Sequence, residues 1–338
     1  MSHRTHRRRF GTAGAVLASA ALVVSLAACS GQASAETDGS ASGTVTIGAH
    51  TNGAGTETTL KVATVEKVRD ELPASVKSKG TLVIGVGALP AGFPPLAFTG
   101  DDQKTLTGSE PDLGRLVAAV LGLKPEIKNA TWDNLFVGID TGATDVGFSN
   151  ITDTEQRKEK YDFASYRKDE LAFTVLKKST WQFEDDYRTL AGKTVAVSSG
   201  TNQEKILLEW KTKLAAEGKT LDIKYYPDAN STWLALNSGK IDASFGPNPT
   251  AAYQNTQSAS SANPTRTAGT YSGAGASLQG LIAATVKKGS GLDKPIADAI
   301  NHLIETGQYA KWLKAYNLSN EGLPTSEVNP PGLPLDNQ

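Results

Sequence analysis

The sequence predicts an α/β protein in two lobes, and three observations carry that prediction. Strand-like apolar runs alternate with helical ones, which implies helices layered on a parallel sheet. A short strand feeding a capped helix occurs twice, at 145–157 and again at 194–210. Residues 257–277, dense in Ser, Ala, Gly and Thr, then separate the second unit from a closing strand and helix. With 338 residues the chain can bury two modest cores.

Residues 1–28 stand apart from the fold. Arg4, Arg7, Arg8 and Arg9 form a basic start, and Gly11 to Ala28 is uncharged and apolar, ending Leu26-Ala27-Ala28-Cys29. This pattern predicts a secretory signal with a lipobox, in which small residues fit the peptidase and Cys29 takes the lipid. About 18 apolar residues nearly suffice for a membrane span. The stretch is Ala-rich, however, ends in the chain's only cysteine and runs into a Gly/Ser/Thr tract, which favours a lipoprotein. Two acyl chains at Cys29 would anchor the protein stably where one would be marginal. Arg7-Arg8-Arg9-Phe10 also resembles a twin-arginine export signal. A single cysteine excludes disulfides within the mature chain and cysteine-based metal sites. The formal charge is −1, from 34 basic and 35 acidic residues, and becomes −5 once the four signal arginines leave. Basic and acidic residues are interspersed, so nothing marks a nucleic-acid binder.

Residues 29–59 read as a lipid-linked flexible tether. Leu60 to Lys79 is more regular but receives no assignment. Leu82 to Val86 is the first core strand. Leu113, Leu116, Val117, Val120 and Leu121 recur at helical spacing, so 111–121 is an amphipathic helix with proline near its start. Asp145 to Ser149 is a short buried strand. Thr152 and Glu155 then form a Thr-x-x-Glu capping box that opens a helix, with Arg157 about one turn inside. Thr194 to Val197 starts the second unit, whose turn Ser199-Gly200-Thr201-Asn-Gln-Glu204 carries another such box. Ile241 to Phe245 and Gly280 to Val286 are strands, and Ile296, Ala299, Ile300 and Leu303 share one face of a late helix. The Pro-rich tail, 319–338, is expected to lie extended on the surface.

A helix N-terminus presents unpaired N–H groups and the positive end of the helix dipole, and a guanidinium fork can hold a carboxylate bidentately. Both capped turns are therefore candidate anion sites. Around the first, Trp132-Asp133, Thr141-Gly142-Ala-Thr-Asp145, Thr152-Asp-Thr154-Glu-Gln-Arg157 and Asp162-Phe163 follow in order. This passage resembles the type 3 solute-binding proteins of ABC importers, which capture polar amino acids, and the similarity runs from about Leu82 to Leu318.

The resemblance implies a type II periplasmic-binding-protein fold, with lobe 1 at 80–174 plus 278–318, lobe 2 at 175–277, two hinge crossings and a ligand cleft between the lobes. It further implies that Arg157, Thr152 and the backbone of Asn150 hold the ligand from lobe 1 and Thr201 from lobe 2. Phe93 and Trp132 match its aromatic clamp. In the family an aspartate four residues after the lobe 2 Asp-Ala pair binds the ligand's amine. Here the run is Asp242-Ala-Ser-Phe-Gly-Pro247-Asn248, with proline at that position and uncharged Asn248 next to it. A charge-assisted hydrogen bond contributes roughly 1.5–3 kcal/mol, so its loss costs about tenfold or more in affinity. Either Glu110 or Asp228 compensates, or the ligand is not a standard α-amino acid.

The implied protein is a monomer without cofactor, bound to the membrane through its lipid and working with a permease and an ATPase. Two other readings share the fold: a dehydratase using cleft acids, and a sensor that does not transport. The mature chain keeps only His50 and His302, and neither a G-x-S-x-G elbow nor a Walker A loop occurs. Gly85-Val-Gly87 begins a dinucleotide fingerprint, but Pro90 occupies its third glycine position.

Overall fold

One strand organises the molecule. In the computed structural model the described residues are 42–336, so the expected signal (1–28), Cys29 and the start of the tether (29–41) lie outside them. In chain order, a hairpin pairs β1 (Ser42–Ile47) with β2 (Thr58–Ala63) and is followed by α1 (Glu66–Asp70) and α2 (Ala74–Lys79). Then come β3 (Thr81–Val86), the short pair β4 (Phe98–Thr99) and β5 (Leu106–Thr107), α3 (Ser109–Val120), β6 (Lys124–Asn129), α4 (Trp132–Thr141) and β7 (Val146–Gly147). The long β8 (Tyr161–Leu176) leads to β9 (Thr194–Val197), α5 (Asn202–Ala216), β10 (Asp222–Tyr225), α6 (Ala229–Asn237), β11 (Ala243–Pro247) and α7 (Asn248–Ser258). The chain returns through β12 (Thr265–Ser272) and β13 (Gly280–Lys287) to α8 (Asp293–Glu305) and α9 (Gln308–Ala315).

The main sheet runs β10-β9-β11-β8-β13-β7-β3-β6, with β12 also on β8. It is mixed rather than parallel. β3, β6 and β7 pair parallel, as do β9, β10 and β11, but β8 meets β11, β12 and β13 antiparallel. Along β8 the partner changes: β13 pairs with Tyr161–Asp169 and β12 with Glu170–Leu176. The cores divide at the same place. Ala164 and Tyr166 enter one cluster with Leu82, Leu113, Ile300 and Trp312, whereas Leu171, Phe173 and Val175 enter another with Val195, Ile206 and Trp210. The chain therefore passes from one core to the other within β8 and back between β12 and β13.

The helix spacing read from sequence is realised in α3 and α8, where Leu113, Leu116, Val117, Val120, Ile296, Ala299, Ile300 and Leu303 are all buried. Three further expectations need correction. The tether does not extend to residue 59, because 42–59 belong to the hairpin, whose Ile47 and Leu60 join the first core. Gly48 N donates to Asp112 Oδ2 (2.7 Å) and seats the hairpin on α3. The tail is not simply laid on the surface either. Glu321, Ser326 and Leu333 are buried, and Leu333 joins the second core. Finally, no α-helix follows Thr152; a single 3-10 turn, Arg157–Glu159, stands there.

Candidate functional site

The absent helix has a local cause. Thr152 does not cap, because its hydroxyl donates to Asp169 Oδ2 (2.6 Å). The Glu155 amide is taken by Leu333 O (2.9 Å), from the chain's far end. Thr154 Oγ1 caps the tight turn instead, accepting from Arg157 N (3.1 Å). This geometry carries Arg157 to the seam between the two cores. Its Nη1 donates to Thr152 O (2.9 Å) and its Nη2 to Gly200 O (3.3 Å), while the rings of Trp132 and Phe136 lie 5.4 Å from the guanidinium carbon. Burial pushes Arg157 down to about 10, against the opposing pull of Asp169, Tyr161 and Asp153; it remains charged at neutral pH. No carboxylate forms an ion pair with it among the described residues. A cation enclosed by two aromatic faces and bonded only to carbonyls is suited to an incoming anion.

Trp132 begins α4 and also reaches the seam, its Nε1 donating to Gly200 O (3.2 Å). Opposite, Thr201 caps α5 as read from the sequence: its Oγ1 accepts from Glu204 N (3.3 Å), and Glu204 Oε2 accepts from Gly200 N (2.6 Å). A groove of about 340 Å³ opens here, lined by Phe136, Arg157, Tyr161, Thr201, Asn202 and Lys205.

Asp169 lies buried beside the groove without lining it. It sits where β8 changes partners, buried, accepting from Thr152 on one side and from Asn202 Nδ2 (3.1 Å) on the other. Burial raises its carboxyl, with the bonds from Thr152 and Asn202 and the charge of Arg167 opposing. The neighbouring Gly273 is required by close approach, since a Cβ there would lie 1.8 Å from Asp169 Oδ2. Sequence reasoning missed Asp169 and Asn202. The available signals were the run of four charged residues Arg167-Lys168-Asp169-Glu170 in the middle of a strand, and the position of Asn202 directly after Thr201.

The other expected residues are placed less directly. Asn150 adopts a left-handed conformation (φ 52°), and its N–H donates to Glu110 Oε2 (2.7 Å), so that amide already has a partner. Its side chain accepts from Arg167 Nη2. Arg167 is buried between Glu110 (3.3 Å) and Glu321; burial alone would lower its pKa, but the two acids outweigh that and raise it. Glu110 is thereby committed to Arg167, Asn150 and the Tyr166 hydroxyl. Asp228 is committed to the N-terminus of α6 through Ser231 N (2.9 Å). Neither acid stands free to replace the missing aspartate. The acid beside Asn248 is Glu170, whose Oε2 accepts from Asn248 Nδ2 (3.1 Å). Phe93 packs against the first core, and neither it nor Trp132 is among the residues that line the groove. No group of three or more His, Cys, Asp or Glu among the described residues is arranged to hold a metal.

The profile of the bacterial extracellular solute-binding proteins, family 3, matches residues 84–319. The chain belongs to this family. The fold is accordingly the type II periplasmic-binding-protein architecture, two lobes joined by two crossings with a cleft between them. The chain is 35% identical over 183 residues to the L-cystine-binding protein TcyJ of Escherichia coli, a match spanning 53% of this chain and 64% of that one. It is 27% identical over 268 residues to the arginine-binding protein ArgT of Corynebacterium glutamicum, covering 77% and 81%. Among solved structures, an ancestral arginine-binding protein bound to arginine aligns with a TM-score of 0.60 at 26% identity, covering 70% of this chain and 98% of that one. These relatives are binding proteins rather than enzymes. Family members work outside the cytoplasm, and no helix among the described residues is long and apolar enough to cross a membrane.

Proposed function

We propose that the protein is a lipid-anchored receptor on the outer face of the cell membrane that captures a polar amino acid or related carboxylate as a monomer. It passes this ligand to an ABC permease and ATPase. The observation that carries the proposal is Arg157, an aromatic-enclosed cation at the seam whose hydrogen-bond acceptors among the described residues are two carbonyls. In this reading the ligand's carboxylate takes over the guanidinium fork, with Trp132 packing on the ligand and Thr201 meeting it from lobe 2. The lobes, at 80–174 plus 278–318 and at 175–277, close on it because it contacts both. Thr152 acts through Asp169, and Asn150 shapes the turn beneath. The names of the relatives point to cystine or arginine as ligands to test first. The anchor rests on Leu26-Ala27-Ala28-Cys29.

The test is calorimetric titration with L-cystine and L-arginine. One of them is expected to bind, and Arg157→Ala is expected to weaken it at least about 100-fold, since two charge-assisted hydrogen bonds are lost. Equal dissociation constants for the variant and the parent would remove Arg157 from the site.

A further inference from the structure

The C-terminal segment lies beyond the family match, which ends at residue 319, and it crosses from one lobe to the other. On lobe 1, Glu327 N donates to Ser165 Oγ (2.9 Å), and Asn329 N donates to Phe163 O (3.0 Å) while its Oδ1 accepts from Phe163 N (2.9 Å). The chain then passes over the Arg157 turn. Lys158 Nζ donates to Pro330 O, Gly332 N to Glu155 Oε1 (2.9 Å) and Leu333 N to Asp153 O (3.1 Å). Leu333 inserts into the second core, and Pro334 O accepts from Lys205 Nζ (2.9 Å) on α5. Residues 327–334 therefore hold both sides of the groove at which Trp132 and Arg157 meet Gly200.

We propose that residues 327–334 form an intramolecular strap that holds the lobes closed across the Arg157 seam, so that opening of the cleft requires its release. The seat is shaped for this segment. Gly332 passes so close to the turn that a Cβ would lie 2.6 Å from Asp153 O and 2.7 Å from Asp153 Oδ1. Beneath it the Asp153 side chain is fully buried and neither oxygen has a hydrogen-bond partner, with Lys158 Nζ 3.5 Å away. The strap is held by backbone hydrogen bonds, the side chains of Asn329, Ser165 and Glu155, two lysines and one apolar plug, ties that can detach while both cores remain folded. If Arg157 holds the ligand as proposed above, ligand exchange is limited by a segment whose Leu333 lines the same groove.

Hydrogen exchange on the intact chain, without ligand, tests this. The Trp132 indole N–H reports the cross-lobe bond to Gly200 O, the amides of Asn329 and Leu333 report the strap, and the Trp312 indole, donating to Ser109 O (2.9 Å), reports the first core. In the parent protein at low urea, the strap amides and the Trp132 indole are expected to open together, well before Trp312. Gly332→Val is expected to free the strap amides and to speed exchange at Trp132 at least tenfold, leaving Trp312 unchanged. Freed strap amides with an unchanged Trp132 rate would overturn the proposal. If the variant does not fold, the urea series decides: Trp132 exchanging while Asn329 and Leu333 stay protected would overturn it as well.

Discussion

Asp153 and Arg157 stand four residues apart on the same turn, and burial disfavours the charged form of both. Asp153 is cut off from water under the strap, and burial pushes its carboxyl up to about 7 even with Lys158 beside it. In the unfolded chain it titrates near 3.8. Between those values the unfolded state releases a proton that the folded state keeps, so this group makes stability fall as pH rises from about 4 to 7, with no further loss above. Each unit of difference is worth about 1.4 kcal/mol. Asp153→Asn is therefore expected to gain about 1–3 kcal/mol at pH 8 and little at pH 4, read from urea midpoints. An equal change at both pH values would mean that the acid is not held neutral. At this scale the sequence singled out Arg157 and Trp132, which both donate to Gly200 O, next in the chain to Thr201. It was silent on Asp169, because a strand residue acquires its partners from segments far along the chain, here Thr152 and Asn202.

Two Thr-x-x-Glu boxes were legible, and only one caps a helix. At Thr201 the pattern works as written, since its partners lie within the same turn. At Thr152 both of its hydrogen-bonding groups are claimed by tertiary partners, the hydroxyl by Asp169 and the Glu155 amide by Leu333. A capping signal is a local preference worth about 1 kcal/mol, and the bridge to Leu333 together with the bond to Asp169 overrides it. The same reasoning explains why α3 and α8 were read correctly, since their apolar stripes are long enough to dominate. The crossing between β12 and β13 gives a test at this scale. Gly273→Ala places a methyl against the Asp169 carboxylate and separates Thr152 from Asn202. It is expected to cost about 1–3 kcal/mol or more in thermal unfolding, as overpacking does. An unchanged melting temperature would show that Asp169 has room to move. Leu333→Ala, which empties a buried position, is expected to cost about 2–5 kcal/mol by the same measurement.

At the scale of the whole molecule, alternating strands and helices revealed an α/β protein, and the Ser/Gly-rich stretch near residue 270 marked the return crossing. The mixed sheet was not legible, because nothing in the composition of β8 announces a 16-residue strand that serves both cores. Nor was the N-terminal hairpin, whose Gly, Ser and Thr content is that of a linker until Ile47, Leu60 and Val62 find the first core. What the architecture adds is the consequence of two cores on one strand: once residues 327–334 release, bending where β8 changes partner is expected to separate the lobes without unfolding either core. The most direct measurement is the distance between labels on Val137→Cys in α4 and Leu234→Cys in α6, both exposed, one on each lobe. It would be taken by electron–electron double resonance in the Gly332→Val background, where the strap no longer holds the lobes together, with and without the amino acid found by titration. A ligand that bridges the lobes through Arg157 is expected to narrow the distance distribution towards its short end, and Arg157→Ala to abolish that change. A distribution that ignores a bound ligand, or narrows equally in the variant, would contradict closure on the guanidinium.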